Sequence, residues 1–311
     1  MIPPPVPPGG GPGPGPLPPS AGLSPPGSPP AGLGLSPLDV APFGLTGTPS
    51  KADVPYGSEP LQTLDLYLPD GAVAAPMLLF VHGGGWSTGD KSDLAWLGQQ
   101  LARQGVLVAL PNYRLSPAVQ HPTHAQDVAR AVAWFYRNGA SYGGDPRHLY
   151  LAGHSAGAHL ASLVALDPTY LAAAGLNAGA LRGVAGISGA GYDLDAQYAS
   201  TPMAPVFYSV FGSDTSRWAN AAPLHYVQPY APPFLLVHGL DDTQAPATST
   251  ETFATALQAQ GVPMELDLMP GKEHGTALIA SVGHLREWIT QRDAPPPTVR
   301  ATATTGGAVT P

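Results

Sequence analysis

The sequence predicts an α/β fold with a mostly parallel central sheet and helices on both of its faces. Three observations carry that expectation. From residue 76 onwards, short apolar runs alternate with segments of helical periodicity, the pattern of strands joined by crossover helices. The runs are continuously apolar, as strands buried on both faces are. Between two low-complexity ends the chain keeps roughly 250 residues, which suits one domain with a large core.

In chain order, Thr63 to Leu68 (TLDLYL) alternates in character and is expected to form an antiparallel edge strand. Met77 to His82 (MLLFVH) is the first buried strand, and a helix is expected over Lys91 to Gln104. Val106 to Leu110 (VLVAL) is the next strand. The helix after it has the clearest signature: Ala125, Val128, Ala129, Val132, Phe135 and Tyr136 recur at intervals of three and four, with Asp127, Arg130 and Arg137 on its other faces. Leu149 to Ala152 (LYLA) leads into a helix over Ala156 to Leu166. Val184 to Ser188 (VAGIS), Phe234 to His238 (FLLVH) and Met264 to Met269 (MELDLM) complete the strands, with helices over Thr248 to Gln260 and Ala277 to Gln291.

Sixteen of the 39 prolines lie in the first 42 residues, and no Lys, Arg, Asp or Glu precedes Asp39. Such a segment cannot bury enough apolar surface to offset the entropy of ordering it. Residues 1–42 are therefore expected to be a disordered Pro/Gly-rich tether, partly polyproline II. Residues 43–292 form the folded domain, and 293–311, rich in Pro, Thr, Ala and Gly, a flexible tail. The net charge is −8 with scattered basic residues, so the basic stripe demanded by a phosphate backbone is missing and no nucleic-acid partner is expected. No run of about 18 apolar residues suggests a membrane span, and the N-terminus lacks a signal peptide's charged start and apolar core. The proline-rich segment leans towards export, and the compartment stays open. With no cysteine in the chain, disulfides, thiol catalysis and Cys-based metal sites are excluded.

Gly153-His154-Ser155-Ala156-Gly157 directly follows the strand LYLA and precedes a helical pattern. That is the context in which a G-x-S-x-G turn lifts a serine hydroxyl clear of a sheet; small residues two before and two after let neighbouring backbone approach. A serine hydroxyl is a weak nucleophile and needs a base, and the base needs a carboxylate to hold its tautomer. Only His274 and His284 lie downstream of FLLVH. His274, in a loop after MELDLM, is preferred as the base, because His284 falls inside the amphipathic C-terminal helix. Asp241 and Asp242 both follow FLLVHG at the carboxyl end of a strand, where sites form in open α/β sheets. Asp242 is preferred as the acid, with Asp241 left as a turn or capping residue.

Attack on an acyl carbon also creates an oxyanion, which preorganised backbone N–H groups stabilise. His82-Gly83-Gly84-Gly85-Trp86 follows the first buried strand, and its glycines permit a path with N–H groups turned inward. Gly84 and Gly85 are the expected donors, with Ala156 at the start of the nucleophile helix as a third. Trp86, His154 and Tyr192 are candidate substrate-pocket residues, Trp86 being equally suited to a core. His121, His124, His154 and His159 lie near one another in sequence, but no carboxylate completes a ligand spacing, so no metal and no other cofactor are expected.

These residues resemble the bacterial esterases related to hormone-sensitive lipase, and more closely the carboxylesterase and kynurenine formamidase-like branch. The resemblance runs from about Pro60 to Trp288 and rests on HGGGW at 82–86, WSTGDK at 86–91, PNYRLSP at 111–117, GHSAGAHL at 153–160, HGLDDTQAP at 238–246 and GKEHG at 271–275. It implies an α/β-hydrolase fold with a small or absent cap, and a serine carboxylesterase acting on a small-molecule ester through an acyl-enzyme. The Ser155, Asp242 and His274 triad and the same oxyanion donors would carry the reaction. Arylformamidase or feruloyl-type esterase activity is the alternative, and a catalytically inactive binding module the non-enzymatic one. Two departures bear on substrate. Hormone-sensitive-lipase relatives usually carry Asp where this chain has His154, and a helical N-terminal cap where it has the proline-rich tether, which points to an open active site. Formamidase relatives often place an aromatic where Gly85 stands. Residues 190–230, with Tyr192, Tyr198, Phe207, Tyr208, Phe211 and Trp218, could form a small lid.

Overall fold

The computed structural model describes residues 46–194 and 204–293. The tether expected over 1–42, almost all of the expected tail, and Tyr198 lie outside these residues. Among the described residues is an eight-stranded sheet in the order β1-β2-β4-β3-β5-β6-β7-β8. The strands are β1 (Lys51–Pro55), β2 (Thr63–Tyr67), β3 (Ala75–Val81), β4 (Leu107–Pro111), β5 (Gly144–His154), β6 (Gly183–Ile187), β7 (Phe234–Gly239) and β8 (Met264–Met269). β1 pairs antiparallel with β2, and β2 antiparallel with β4; every later pairing is parallel. This is the α/β-hydrolase fold.

One strand is placed differently from its sequence expectation. Thr63 to Leu68 was expected at the edge, but β2 is almost wholly buried and β1 lies outside it. β1 (KADVP) is largely exposed and carries no apolar run. It contributes backbone hydrogen bonds more than hydrophobic area, so periodicity does not reveal it.

Among the described residues seven α-helices cover the sheet: α1 (Ala95–Arg103), α2 (Thr123–Asn138), α3 (Ala156–Leu166), α4 (Pro168–Ala173), α5 (Ala204–Phe211), α6 (Ala247–Ala259) and α7 (His274–Asp293). Successive strand residues feed opposite faces. On β3, Leu78 and Phe80 join α1 and α7 through Leu97, Leu101, Leu278 and Trp288. Met77, Leu79 and Val81 point the other way, into a core with Val128, Val132 and Phe135 of α2, Leu163 of α3 and Phe253 of α6. All eleven residues of α3 are buried, as expected of a helix that is apolar on every side. α7 starts three residues before the expected helix, so His274 is its first residue and not part of the preceding loop. Between β6 and β7, α5 and two short 3-10 turns (Thr215–Ala221 and Pro223–Tyr226) turn Phe207 and Trp218 inward, leaving Tyr208 38% exposed.

Candidate active site

Ser155 is the hinge between β5 and α3, with φ 55° and ψ −123°. A non-glycine residue in this region costs about 1–3 kcal/mol and persists where its surroundings over-determine it. Here its N–H donates to the Ile187 carbonyl at 2.9 Å, and its own carbonyl accepts from the Ala158 and His159 N–H groups. The small flanking residues are a packing requirement. A Cβ on Gly157 would lie 2.2 Å from the Val81 carbonyl oxygen, and one on Gly153 would lie 2.2 Å from the carbonyl oxygen of Gly157.

The two aspartates that follow β7 are separated by the fold. Asp242 Oδ2 accepts from His274 Nδ1 at 2.6 Å, whereas Asp241 is exposed and its N–H donates to the Lys272 carbonyl. The Asp242 side chain is fully buried. Its Oδ1 accepts from the Gln244 and Ala245 N–H groups at 2.8 and 2.9 Å, and His238 Nε2 lies 3.1 Å from Oδ2. Burial alone would push this carboxyl up; the hydrogen bonds from His238 and His274 outweigh it and hold Asp242 well below the usual carboxylate range. With Nδ1 committed to Asp242, the Nε2 of His274 carries the exchangeable site of the ring, and that nitrogen is buried without a partner among the described residues. His284 lies elsewhere on α7, its Nδ1 3.1 Å from Asp267 Oδ2.

The loop after β3 turns with φ of 108°, 58° and 58° at Gly84, Gly85 and Trp86. The Ser87 and Thr88 N–H groups both donate to the Gly84 carbonyl, which turns that peptide's oxygen into the loop. Among the described residues no backbone carbonyl accepts from the Gly84 or Gly85 N–H. A Cβ on Gly83 would lie 3.0 Å from Ser155 Cβ, so the triglycine loop starts directly against the serine. Ala156 follows Ser155 as the first residue of α3.

The three candidate pocket residues are all buried, with Trp86 3%, His154 1% and Tyr192 0% exposed. His154 Nε2 donates to the backbone carbonyl of His274 at 3.1 Å, and Ser188 Oγ donates to the same oxygen. His154 therefore supports the backbone of the candidate base. Burial pushes its imidazole down to about 3, so it is neutral at pH 7. Tyr192 stacks on Phe253 with ring centroids 4.4 Å apart. Trp86 donates from Nε1 to His159 Nδ1 at 3.3 Å, and His159 Nε2 donates to the Ala221 carbonyl at 2.7 Å. Phe211 packs edge-on against Trp86. Among the described residues no group of His, Asp or Glu is arranged as metal ligands; His154 and His159 bond backbone carbonyls, and His124, in the first turn of α2, bonds Ser116 Oγ through Nε2.

The sequence did not disclose how the Gly83–Gly85 loop is supported by residues that follow β4. Asn112 accepts from the Lys91 N–H and donates to Asp90. Tyr113 stacks on His82 at 4.5 Å and donates to its carbonyl. Arg114 makes a two-pronged ion pair with the buried Asp127. These side chains belong to the PNYRLSP and WSTGDK segments, whose spacing shows resemblance but not contact.

Comparison with known proteins gives the family and the fold. A model of the BD-FAE family matches residues 64–257. Isoprenylcysteine alpha-carbonyl methylesterase of Arabidopsis thaliana is 32% identical over 242 residues, covering 72% of this chain and 56% of the relative. Esterase LipQ of Mycobacterium tuberculosis is 34% identical over 246 residues, covering 74% and 58%. The chain thus spans little more than half the length of these curated relatives. Among solved structures, esterase B of Lactobacillus rhamnosis superposes with a TM-score of 0.69 at 24% identity, covering 82% of this chain and 91% of that one. A truncated carbohydrate esterase from gut microbiota gives 0.69 at 21%, covering 80% and 97%. At such identities the likeness speaks for the fold. Because the family match takes in most of the chain, from within β2 to within α6, the protein belongs to the BD-FAE family.

Proposed function

We propose that this protein is a serine carboxylesterase that hydrolyses small-molecule carboxylic esters through an acyl-enzyme. The observation that carries the reading is the 2.6 Å bond between His274 Nδ1 and the fully buried Asp242 carboxylate, an arrangement that leaves Nε2 to act as a base. His274 Nε2 takes the Ser155 Oγ proton as the oxygen attacks the acyl carbon, and Asp242 stabilises the imidazolium that forms. The N–H groups of Gly84, Gly85 and Ala156 receive the oxyanion. His274 then gives its proton to the leaving alcohol, and the same nitrogen activates the water that resolves the acyl-enzyme. Every step uses groups of the chain itself, with the ester and water as reactants.

The test is turnover of a p-nitrophenyl ester by Ser155→Ala. The variant is expected to fold, since an alanine fits wherever that serine does, and to lose about four orders of magnitude or more in kcat. Turnover within about tenfold of the parent would overturn the reading. A panel of a short alkyl ester, a feruloyl ester and N-formylkynurenine places the substrate, with the highest kcat/KM expected on the short alkyl ester.

A further inference from the structure

The acid of the proposed triad has a second histidine that the mechanism above does not use. His238, on β7, is wholly buried. Its Nε2 lies 3.1 Å from Asp242 Oδ2 and 2.9 Å from the Ala245 carbonyl oxygen. Both neighbours accept only, so Nε2 must carry a proton. On the far side of the ring, Nδ1 lies 2.7 Å from Thr250 Oγ1 on α6. Nε2 therefore donates, and Nδ1 shares a hydrogen bond with the threonine hydroxyl. Oδ2 of Asp242 is shared between two imidazoles, one at 2.6 Å and one at 3.1 Å.

We infer that His238 is a positioning residue for catalysis: with Thr250 behind it, it fixes the Asp242 carboxylate and moderates the charge that Asp242 presents to His274. The inference rests on the triad reading above. A carboxylate whose second donor is removed becomes a stronger acceptor for the first, so the His274 imidazolium is stabilised and its proton is released at higher pH. The carboxylate also loses one of its four orienting bonds, which loosens the ring that must meet Ser155. The other titratable groups around the pair are His154 at the end of β5, whose ring centroid is 4.6 Å from that of His274, and the exposed Asp241 and Glu273 with half-buried Lys272 in the flanking turns. On the α6 side, Ser249 donates to Asp193. Of these, His154 also feels the charge of His238, and burial keeps it neutral down to about pH 3.

The experiment compares kcat/KM against pH for His238→Leu, His238→Gln and Thr250→Val on a p-nitrophenyl ester, with thermal unfolding of each variant. His238→Leu is expected to lower kcat/KM by about 10- to 100-fold, the effect of losing one hydrogen bond to a charged group, and to move the acid limb to higher pH. His238→Gln, whose amide can donate in place of Nε2, is expected to recover most of the rate and the parent limb. Thr250→Val should shift the limb in the same direction by less. If His238→Leu does not fold, the limb of Thr250→Val decides. An acid limb unmoved in the folded Leu or Val variant, with rates that merely track melting temperatures, would overturn the assignment and leave His238 a packing residue. Loss of the triad reading itself would look different: Ser155→Ala would then turn over ester at the parent rate.

Discussion

At the scale of single residues, the account depends on which aspartate faces His274. Both candidates follow the same strand, and sequence spacing alone favours Asp242 without separating them by contact. The structure buries Asp242 under four donors and leaves Asp241 exposed. Asp242→Asn is expected to lower kcat by at least about a hundredfold, because an amide cannot hold the required tautomer of the base. Asp241→Asn should stay within about twofold of the parent, as a solvated surface change does. Steady-state kinetics on one ester checks both; the opposite ranking would exchange their roles. The positions of Ser155 at a strand-to-helix turn and of His274 beside Asp242 were legible because the proposed chemistry demands one order along the chain and one place after a strand. The placement of Trp86, His154 and Tyr192 was not, since an aromatic or a histidine beside a motif reads alike whether it faces a ligand or another side chain. Their contacts are with the α3 histidine, the His274 backbone and Phe253.

At the scale of elements, the strand-to-helix turn at Ser155 works because two chains of backbone pass each other with no side chain between them. Gly157→Ala would set a methyl group against the carbonyl oxygens of Val81 and His82, which lie 2.2 and 2.5 Å from the added carbon. Neither oxygen belongs to a flexible side chain, so α3 or β3 has to move. A loss of about 1–3 kcal/mol in unfolding free energy is expected from such overpacking, together with lower activity, because β3 also leads into the Gly84 loop. Urea unfolding checks the first part, and an unchanged midpoint would contradict it. The buried strands and the helices over 123–138 and 156–166 were legible from periodicity, and α3 begins and ends where its apolar run does. β1 was not, because its residues bury little and its partner β2 supplies the apolar face. The inward turn of Phe207 and Trp218 was equally hidden, since an aromatic-rich segment between strands reads alike whether its rings face a ligand or, as Phe207 does, pack on Trp86 and Trp218.

At the scale of the whole molecule, burial of neutral histidines makes the fold sensitive to acid. His82 and His124 are pushed down to about 4, and His154 and His159 to about 3, in each case chiefly by burial. An unfolded chain takes up these protons near pH 6.5, and the folded one resists until pH 3 to 4. The unfolded state therefore binds more protons through that window, and stability is present above about pH 6.5 and falls as the pH drops through it, by up to about 1.4 kcal/mol per pH unit for each such histidine. The urea midpoint should decline steadily from pH 7 to pH 4.5; a flat profile would mean that the histidines are hydrated. Composition indicates none of this, since ten histidines in a chain say nothing about how many are buried. The central claim concerns one oxygen atom, and it is tested most directly by mass spectrometry of the protein after reaction with a fluorophosphonate. The account predicts one covalent adduct, mapped to the peptide carrying Ser155 and absent from Ser155→Ala. An adduct on another residue, or none on a folded protein that still hydrolyses ester, would contradict it.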